Sequence, residues 1–591
     1  MYNEKQTTPK NTAPMKNSFD PSCLLKPRFI ITLLLLLIIY GIICRYLYVL
    51  DVASRPFFDI DLSKTDVFIY DLKAKNTLRG DPLDLKMATY PIFIQFMSFI
   101  YRSFGTDPLA FYTVQYLLSM ISVFLLAWTG ALLFGTIPGL ISGVLLLFYK
   151  MNYVYDAIKL HTALSQFLLI TALFFFVINL YKPSWRYYLG YLVYGILLCL
   201  LRIFFWILFI PGAIYGFIKN KYWKRPFYIF IFFIFIIASF FLYNYFKTTD
   251  PYGQKFGIHF LIGNNAYANG LLMVPIGICP NSESFAKAPV LLAHQQTGSI
   301  KNITKFWILK TFESYKNKKN PVLTYLKLLG RKINILVNNM EYHNNINVYY
   351  MEKKTILKDL PRLDYIVILS FTLVGILYSL RHKKSASFLL VPMGVITLMI
   401  LSIFLCARYR MPLIPFLCLF AGYGITNFAK NLKGRQYFRI GLVLIIISFS
   451  FRWAHIKLPY FDLNEQMEIW KDRERLKNSF IKERQESLAI LKDWDHLSPE
   501  RAVLLTDRLG RLNLFYEFFN VYDKAFTLAG KNNVFRLLLL KRKAKVYEEM
   551  FNFHKAKKVW EILREYPGYA TMANKKIKQL SVLESVLGPP P

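Results

Sequence analysis

Long runs of apolar residues constrain this chain more than any other feature of its sequence. The first run extends from Phe29 to Leu50, and comparable runs recur as far as residue 453. An α-helix needs about 20 consecutive apolar residues to cross the hydrocarbon layer of a bilayer. Since 55% of the residues are hydrophobic and only 18% are charged, the chain lacks the polar surface that a soluble protein requires. The sequence therefore predicts an all-α polytopic membrane protein.

The apolar runs predict about eleven membrane-spanning helices, each long enough to cross or nearly cross a bilayer. Their approximate bounds are 29–50, 110–128, 135–150, 162–181, 187–202, 203–218, 227–246, 363–380, 386–406, 411–428 and 437–453. Short loops rich in lysine and arginine stay on the cytoplasmic side of a membrane. The loops at 182–186, 219–225, 381–384 and 430–435 are the richest in these residues, and all four lie inside when the N-terminus is cytoplasmic.

This topology divides the chain into three parts. A polar cytoplasmic tail (1–28) precedes a membrane domain (29–453), and an odd number of spans places the C-terminal region (454–591) on the outer face. Two outer segments interrupt the membrane domain, at 51–105 and 247–361. The second segment is basic and amphipathic, which is typical of helices that lie along a membrane surface.

The formal net charge of +37 raises the question of nucleic-acid binding. Much of this charge, however, lies in short loops between apolar runs, and no nucleic-acid-binding motif accompanies it. We therefore expect the lipid bilayer, and not a nucleic acid, to be the anionic partner. The six cysteines form no CxxC pair, so the sequence predicts neither a zinc site nor a disulfide framework.

The C-terminal region is charged and favours helices. Tyr516 precedes Ala525 by nine residues, and Tyr547 precedes Ala556 by nine, with Pro567 following. An aromatic residue on one helix and a small residue on the next is typical of tetratricopeptide repeats. We expect α-helical hairpins, either true tetratricopeptide repeats or a degenerate array, that offer a surface to a protein acceptor or assembly partner.

The first outer segment is the most promising place for chemistry. Its acidic residues are Asp59, Asp61, Asp66, Asp71, Asp81 and Asp84. Ser63 and Asp66 resemble a capping signal, and the helix that follows would place Asp66, Tyr70 and Lys73 on one face. A positioned carboxylate there would remove a proton from an acceptor hydroxyl. The alternative is a solvated acidic loop whose carboxylates cap helices.

A series of short motifs runs through the membrane domain in a fixed order. The first segment contributes Asp66, Tyr70, Ala74, Gly80, Asp81, Tyr90, Pro91, Phe104 and Gly105; then come Gln115, NYVYDAIKLH with Asp156, the Arg202 turn, GNNAYANG (263–270), RKINILVNNMEYHNN (331–345) and ARYRMPLIP (407–415). In this order and spacing the chain resembles bacterial GT-C-fold glycosyltransferases of the protein O-mannosyltransferase-like group.

This resemblance implies a GT-C-type helix bundle in the bacterial cytoplasmic membrane. It also implies an inverting transfer of sugar from a polyprenyl-phosphate donor to a protein, lipid or glycan on the outer face, with Asp66 as the base. The chain departs from the group at Val67 and at His161, where relatives often carry acids. These departures leave open the acid pair and activity itself. They also leave open whether Asp66 and Asp156 hold Mg²⁺ or Mn²⁺.

The remaining candidate residues would bind the donor. Arg408 and Arg410 would pair with the carrier phosphate, since guanidinium groups bind phosphate oxygens bidentately; the alternative is that they anchor the protein at the membrane interface. Arg202 would face a cavity because a charge in lipid is costly, and it would there serve either as a ligand-binding or as a structural residue. The other candidates, which lie in the resemblance motifs, are Tyr70, Asp156, Asn264, Asn265, Arg331 and Lys332.

Two other functions are compatible with these features. A transporter or flippase of lipid-linked sugars would explain the spans and Arg202, but not the acidic first segment. A non-catalytic scaffold would display the helical C-terminal region and would not depend on Asp66.

Overall fold

The protein is helical throughout the part of the chain that its computed structural model describes. That part comprises residues 27–55, 58, 66–78, 91–219, 255–272, 288–298, 303–342, 344, 346–382, 388–456, 463–550 and 552–587. Apart from two isolated bridges, Tyr149 to Leu363 and Leu271 to Leu405, these residues form no β-structure. The all-α prediction is confirmed. Predictions for the polar tail up to residue 26, the span 227–246 and Asp59, Asp61, Gly80, Asp81, Asp84 and Tyr90 fall outside the described residues.

The helices are numbered in chain order. Those of the membrane domain and its outer segments are α1 (Pro27–Ala53), α2 (Asp66–Leu78), α3 (Pro91–Phe104), α4 (Pro108–Phe134), α5 (Thr136–Phe148), α6 (Lys150–Asp156), α7 (Thr162–Tyr181), α8 (Trp185–Leu201), α9 (Trp206–Lys219), α10 (Lys255–Asn264), α11 (Ala288–Thr297), α12 (Ile303–Glu313), α13 (Pro321–Val337), α14 (Val348–Lys354), α15 (Tyr365–His382), α16 (Leu390–Leu401), α17 (Ala407–Arg410), α18 (Ile414–Lys433) and α19 (Tyr437–Ala454). The C-terminal helices are α20 (Leu463–Lys492), α21 (Pro499–Arg511), α22 (Phe515–Leu528), α23 (Asn533–Glu549), α24 (Phe553–Arg564) and α25 (Ala570–Leu587).

Several helices have the length and composition of membrane spans. Among the described residues, four are long and apolar enough to cross a bilayer: Arg28–Ala53, Pro108–Phe134, Thr162–Tyr181 and Tyr437–Ala454. Shorter apolar helices are Ile92–Phe104, Thr136–Phe148, Trp185–Leu201, Trp206–Lys219, Tyr365–Arg381 and Leu390–Leu401. These findings are consistent with a helical membrane protein, while the count of eleven spans stays a prediction. Two predicted spans are shorter than expected, since the helices at 135–150 and 386–406 cover only Thr136–Phe148 and Leu390–Leu401.

Small residues allow the helices of the membrane domain to approach closely. A Cβ atom on Gly139 of α5 would lie 2.4 Å from the carbonyl oxygen of Ala127 on α4. A Cβ atom on Gly375 of α15 would lie 1.8 Å from the carbonyl oxygen of Phe420 on α18. Within a membrane, helices associate largely through such close packing, because lipid supplies little hydrophobic driving force. These contacts fix the framework from which the outer segments project.

Helical hairpins form the C-terminal region, as its charged, helix-favouring sequence predicts. Helices α21 and α22 pack together, as do α23 and α24, and three residues connect each pair. Tyr516 and Ala525, however, lie on the same helix, whereas Tyr547 lies on α23 and Ala556 on α24. The two nine-residue spacings therefore occupy different positions in the fold. They do not mark equivalent copies of a tetratricopeptide repeat.

Candidate active site

Helix α2 begins at Asp66 and carries the acidic candidate on its first residue. Tyr70 and Ala74 follow at spacings of four, and their side chains are buried against the membrane domain. Residues four apart share one face of a helix, so this face continues directly below Asp66. The Tyr70 ring packs 5.4 Å from the ring of Phe93 on α3 and 6.3 Å from that of His161. Asp66 and Tyr70 therefore share one face of α2, as predicted, and this face packs against the membrane domain.

Arg408 joins this acid to a second part of the chain. Its Nη1 donates a hydrogen bond to Oδ2 of Asp66 over 3.0 Å. The Arg408 side chain is 6% exposed, and that of Asp66 is 29% exposed. The acid is thus within reach of solvent, while the cation lies behind it in the protein. The structure brings together the residues predicted as base and as phosphate ligand.

A small pocket lies beside this ion pair. Arg408 forms part of its wall, together with Met151, Val154, Tyr155, Leu160, Glu341, Asn344, Ile346, Val348 and Ala407. The lining combines apolar side chains with a few polar groups, and the cavity volume of about 10 Å³ leaves room for roughly one water molecule. Arg408 therefore contacts both the carboxylate of Asp66 and this small pocket.

His161 and Arg202 form the adjoining part of the site. Nε of Arg202 donates to Nδ1 of His161 over 3.3 Å, which assigns the proton of a neutral imidazole to Nε2. Burial lowers the pKa of His161 well below its usual value, and the positive charges of Arg202 and Arg408 lower it further. His161 is therefore a buried, neutral side chain. Arg202 ends α8 in an extended conformation, which matches the turn predicted there.

Arg410 has a different environment from Arg408, although only one residue separates them. Its guanidinium donates to Glu341 Oε2 over 2.6 Å and to the carbonyl oxygens of Asn338 and Met340. It also lies 4.4 Å from the ring centre of Tyr365. The side chains of Arg410 and Glu341 are 2% and 1% exposed. These contacts hold Arg410 in the fold, and its predicted contact with phosphate stays a prediction.

Asp156 neutralises a charge from the first helix. Its carboxylate forms a buried ion pair with Arg45 of α1, which also donates to Ser119 Oγ over 2.7 Å. Burial raises the pKa of Asp156 to about 6, even though Arg45 opposes this shift. Gln115, another residue of the resemblance, donates to the carbonyl oxygens of Asp156 and Ile158. The two carboxylates predicted to share a metal are thus held by separate arginines, Asp66 by Arg408 and Asp156 by Arg45.

No metal-binding cluster is evident in this arrangement. Within the described ranges, no three His, Cys, Asp or Glu side chains are grouped so that they would hold a metal ion. A divalent cation at Asp66 and Asp156 would have to displace both arginines. The donor set therefore does not fit the predicted Mg²⁺ or Mn²⁺ site.

The GNNAYANG motif supports the segment that leads to Arg408. Nδ2 of Asn264 donates to the carbonyl oxygen of Ser402 over 2.8 Å, and Lys332 Nζ donates to Asn264 Oδ1 over 2.7 Å. Lys332 also donates to the carbonyl oxygen of Leu401. Burial lowers the pKa of Lys332 to about 7. Asn264 and Lys332 therefore fix the end of α16, immediately before the chain turns towards α17.

The other two candidates in these motifs lie apart from the pocket lining. Asn265 accepts a hydrogen bond from the Tyr267 amide and so forms a local turn. Arg331 is exposed on α13, next to the buried Lys332. Their predicted contacts with substrate stay predictions.

Comparisons with known proteins add little to this description. Neither a protein family nor a curated protein matches the chain. One solved structure that matches part of the chain is the archaeal oligosaccharyltransferase AglB from Archaeoglobus fulgidus, in complex with an inhibitory peptide and a dolichol-phosphate. The match has 12% identity and a TM-score of 0.35, and it covers 72% of this chain and 55% of that one. The chain spans about half the length of AglB, and a likeness at this TM-score carries no functional argument.

Three charged residues of the site region were not predicted from the sequence as partners. Arg45 neutralises Asp156, Glu341 holds Arg410, and Lys159 donates to Asp71 Oδ1 over 2.9 Å. Arg45 offered a signal, because a charge within an apolar span is costly and has a partner or a function. Glu341 offered a weaker one, as the single acid in its motif. For Lys159 nothing in the local sequence indicated a partner so far along the chain.

Proposed function

We propose that this protein is a membrane glycosyltransferase, which transfers a sugar from a polyprenyl-phosphate donor to an acceptor on the outer face of the bacterial cytoplasmic membrane. The observation that carries the proposal is the pairing of Asp66 with Arg408 at the wall of a pocket. A carboxylate that is 29% exposed is open to an acceptor, and a buried guanidinium beside it suits a phosphate. Base and leaving-group site would thus be adjacent.

In this mechanism the donor first competes for Arg408. The phosphate oxygens of the carrier take hydrogen bonds from the guanidinium, which releases Asp66 from its ion pair. Asp66 then accepts the proton of the acceptor hydroxyl as its oxygen attacks the anomeric carbon. The bond from that carbon to the phosphate oxygen breaks with inversion, and polyprenyl phosphate leaves with the bonding electron pair.

Charge and position supply most of the catalysis in this proposal. Polyprenyl phosphate is already a good leaving group, so its developing negative charge needs stabilisation more than protonation. Arg408 provides that stabilisation, and Arg202 adds a second positive charge near His161. Holding the acceptor and donor in the correct geometry removes much of the entropic part of the barrier. No step in this mechanism uses a metal ion.

The test is the Asp66→Asn variant, expressed in a strain that lacks the wild-type protein. Asparagine keeps the shape of the side chain but cannot act as a base, so we expect surface sugar transfer to be lost while protein abundance is normal. Mass spectrometry of surface proteins, lipids and glycans compares this strain with the wild type and the deletion. Asp359→Asn, which alters an exposed acid of the outer segment, is the matched control and should restore the wild-type pattern.

The same strains separate the transferase from its rivals. Full restoration of the wild-type glycans by Asp66→Asn would rule out the proposed base and favour a scaffold. A flippase would instead move a fluorescent polyprenyl-phosphate sugar across reconstituted vesicles without any transfer to acceptors. The transferase proposal requires the opposite result, namely loss of sugar from the carrier when acceptors from the outer face are supplied.

A further inference from the structure

Helix α2 is covered on both sides. Val67, Tyr70 and Ala74 are buried against the membrane domain. Phe68 and Leu72, which are again four residues apart, pack instead against the hydrophobic cluster of the C-terminal region. That cluster includes Trp494, Ala502, Leu509, Phe515, Phe518 and Tyr522. Every residue from 66 to 78 is at least partly buried, so the helix that carries Asp66 lies between two hydrophobic bodies.

The C-terminal region also contacts the pocket through α14. Glu474 of α20 accepts hydrogen bonds from the Tyr350 hydroxyl and from Lys354 Nζ. The ring of Trp470 lies 5.8 Å from that of Tyr350. Val348, at the start of the same helix α14, lines the pocket with Arg408. Helix α2, which carries Asp66, and helix α14, which lines the pocket with Arg408, therefore both contact the C-terminal region.

This second layer of packing matters for a helix as short as α2. Isolated helices of about 13 residues are marginal in water, so tertiary contacts determine how well α2 is ordered. On the inner side, Lys159 forms an ion pair with Asp71 of α2. On the outer side, only the C-terminal cluster covers Phe68 and Leu72 among the hydrophobic clusters of the described chain. A displacement of about 1 Å at a reacting group can lower a rate about a hundredfold.

We propose that the C-terminal helical region positions Asp66 by packing against Phe68 and Leu72 on the outer face of α2. Phe68 and Leu72 are then positioning residues, which act on the reaction through the placement of α2. This inference rests on the proposed function for its catalytic part, whereas the ordering of α2 can be measured without any substrate.

The experiment uses the full chain with the double substitution Phe68→Ala and Leu72→Ala. Hydrogen exchange followed by mass spectrometry should show the amides of 66–78 exchanging about tenfold faster, because α2 loses one of its two packed faces. With a radiolabelled polyprenyl-phosphate hexose and outer-face acceptors, kcat should fall about tenfold while the KM for the donor changes less than twofold. The conservative variant Phe68→Leu with Leu72→Met should restore both readouts.

A matched control addresses general destabilisation. Val534→Ala removes methyl groups from a side chain that is 73% exposed elsewhere in the C-terminal region, and it should leave both readouts unchanged. Unchanged exchange at 66–78 in the double variant would overturn the proposal, as would faster exchange with an unaltered kcat. A wild-type protein that transfers no sugar would refute the proposed function, while the exchange data would still decide whether the C-terminal region orders α2.

Discussion

Arg408 Nη1 lies 3.0 Å from Oδ2 of Asp66, although 342 residues separate them in the chain. The pair joins the first outer segment to the turn before α18, and its arginine lines a small pocket. In the free protein each charge neutralises the other. A phosphate that takes over the guanidinium would therefore change the carboxylate from an ion-pair partner into an available base.

The Arg408→Lys variant should weaken donor binding more than it disturbs the fold. Lysine keeps the positive charge that pairs with Asp66, but it loses the planar, bidentate geometry that suits phosphate. We expect the KM for a polyprenyl-phosphate sugar to rise about tenfold, with a melting temperature close to that of the wild type. Steady-state kinetics and thermal unfolding in detergent measure the two quantities. Arg501→Lys, at an exposed arginine of the C-terminal region, is the control, and an unchanged KM for Arg408→Lys would contradict the phosphate assignment.

Changes to the Arg410–Glu341 ion pair should affect the stability of the fold, in contrast to Arg408→Lys. Glu341→Gln leaves Arg410 buried without its full counter-charge, so we expect the free energy of unfolding to fall by about 3 kcal/mol or more. The double variant Arg410→Met with Glu341→Leu should recover part of this loss, because it removes both buried charges together. Thermal and denaturant unfolding test the comparison. Equal stability of Glu341→Gln and wild type would mean that the pair does not hold the turn before α18.

The Arg45–Asp156 pair gives a prediction about metal dependence. Asp156→Asn should lower stability, again by about 3 kcal/mol, because Arg45 stays buried with its charge poorly compensated. Since the pair occupies the carboxylate that was predicted to bind Mg²⁺ or Mn²⁺, EDTA treatment should leave transfer by the wild type within about twofold. Transfer that is lost with EDTA and regained with either ion would contradict this prediction.

Lys332 should make stability depend on alkaline pH. Its pKa is lowered from 10.5 to about 7 in the folded protein, so the unfolded chain binds more protons between these values. The free energy of unfolding should therefore rise as the pH increases from about 7 to about 10.5. Lys332→Met removes the titrating group and should flatten this part of the profile. The test is to measure the free energy of unfolding of both proteins at several pH values in one detergent. If stability depends on pH in the same way for the wild type and Lys332→Met, the lowered pKa of Lys332 is contradicted.

Much of the architecture follows from the sequence because local patterns specify helices. Apolar runs of span length predict α1, α7 and α19 to within three residues at each end, and they predict α4, which continues to Phe134 beyond the predicted end at residue 128. A helix that carries Asp66, Tyr70 and Lys73 and a turn at Arg202 were also predicted, and both are present, because caps and breaks between apolar runs leave local signals. The predicted cap at Ser63 lies outside the described residues. These features depend on residues that are neighbours in the chain.

The partners of the charged residues depended on the tertiary structure. Arg408 and Arg410 are two residues apart on a short helix, so their side chains point in different directions. The sequence assigned both to phosphate, but the fold places Asp66 beside one and Glu341 beside the other. Likewise, Asp156 resembled a ligand until the packing of α1 brought Arg45 to it. The sequence by itself determined that charges would be buried in this membrane domain, whereas long-range packing decided which of them neutralise each other and which one faces the pocket.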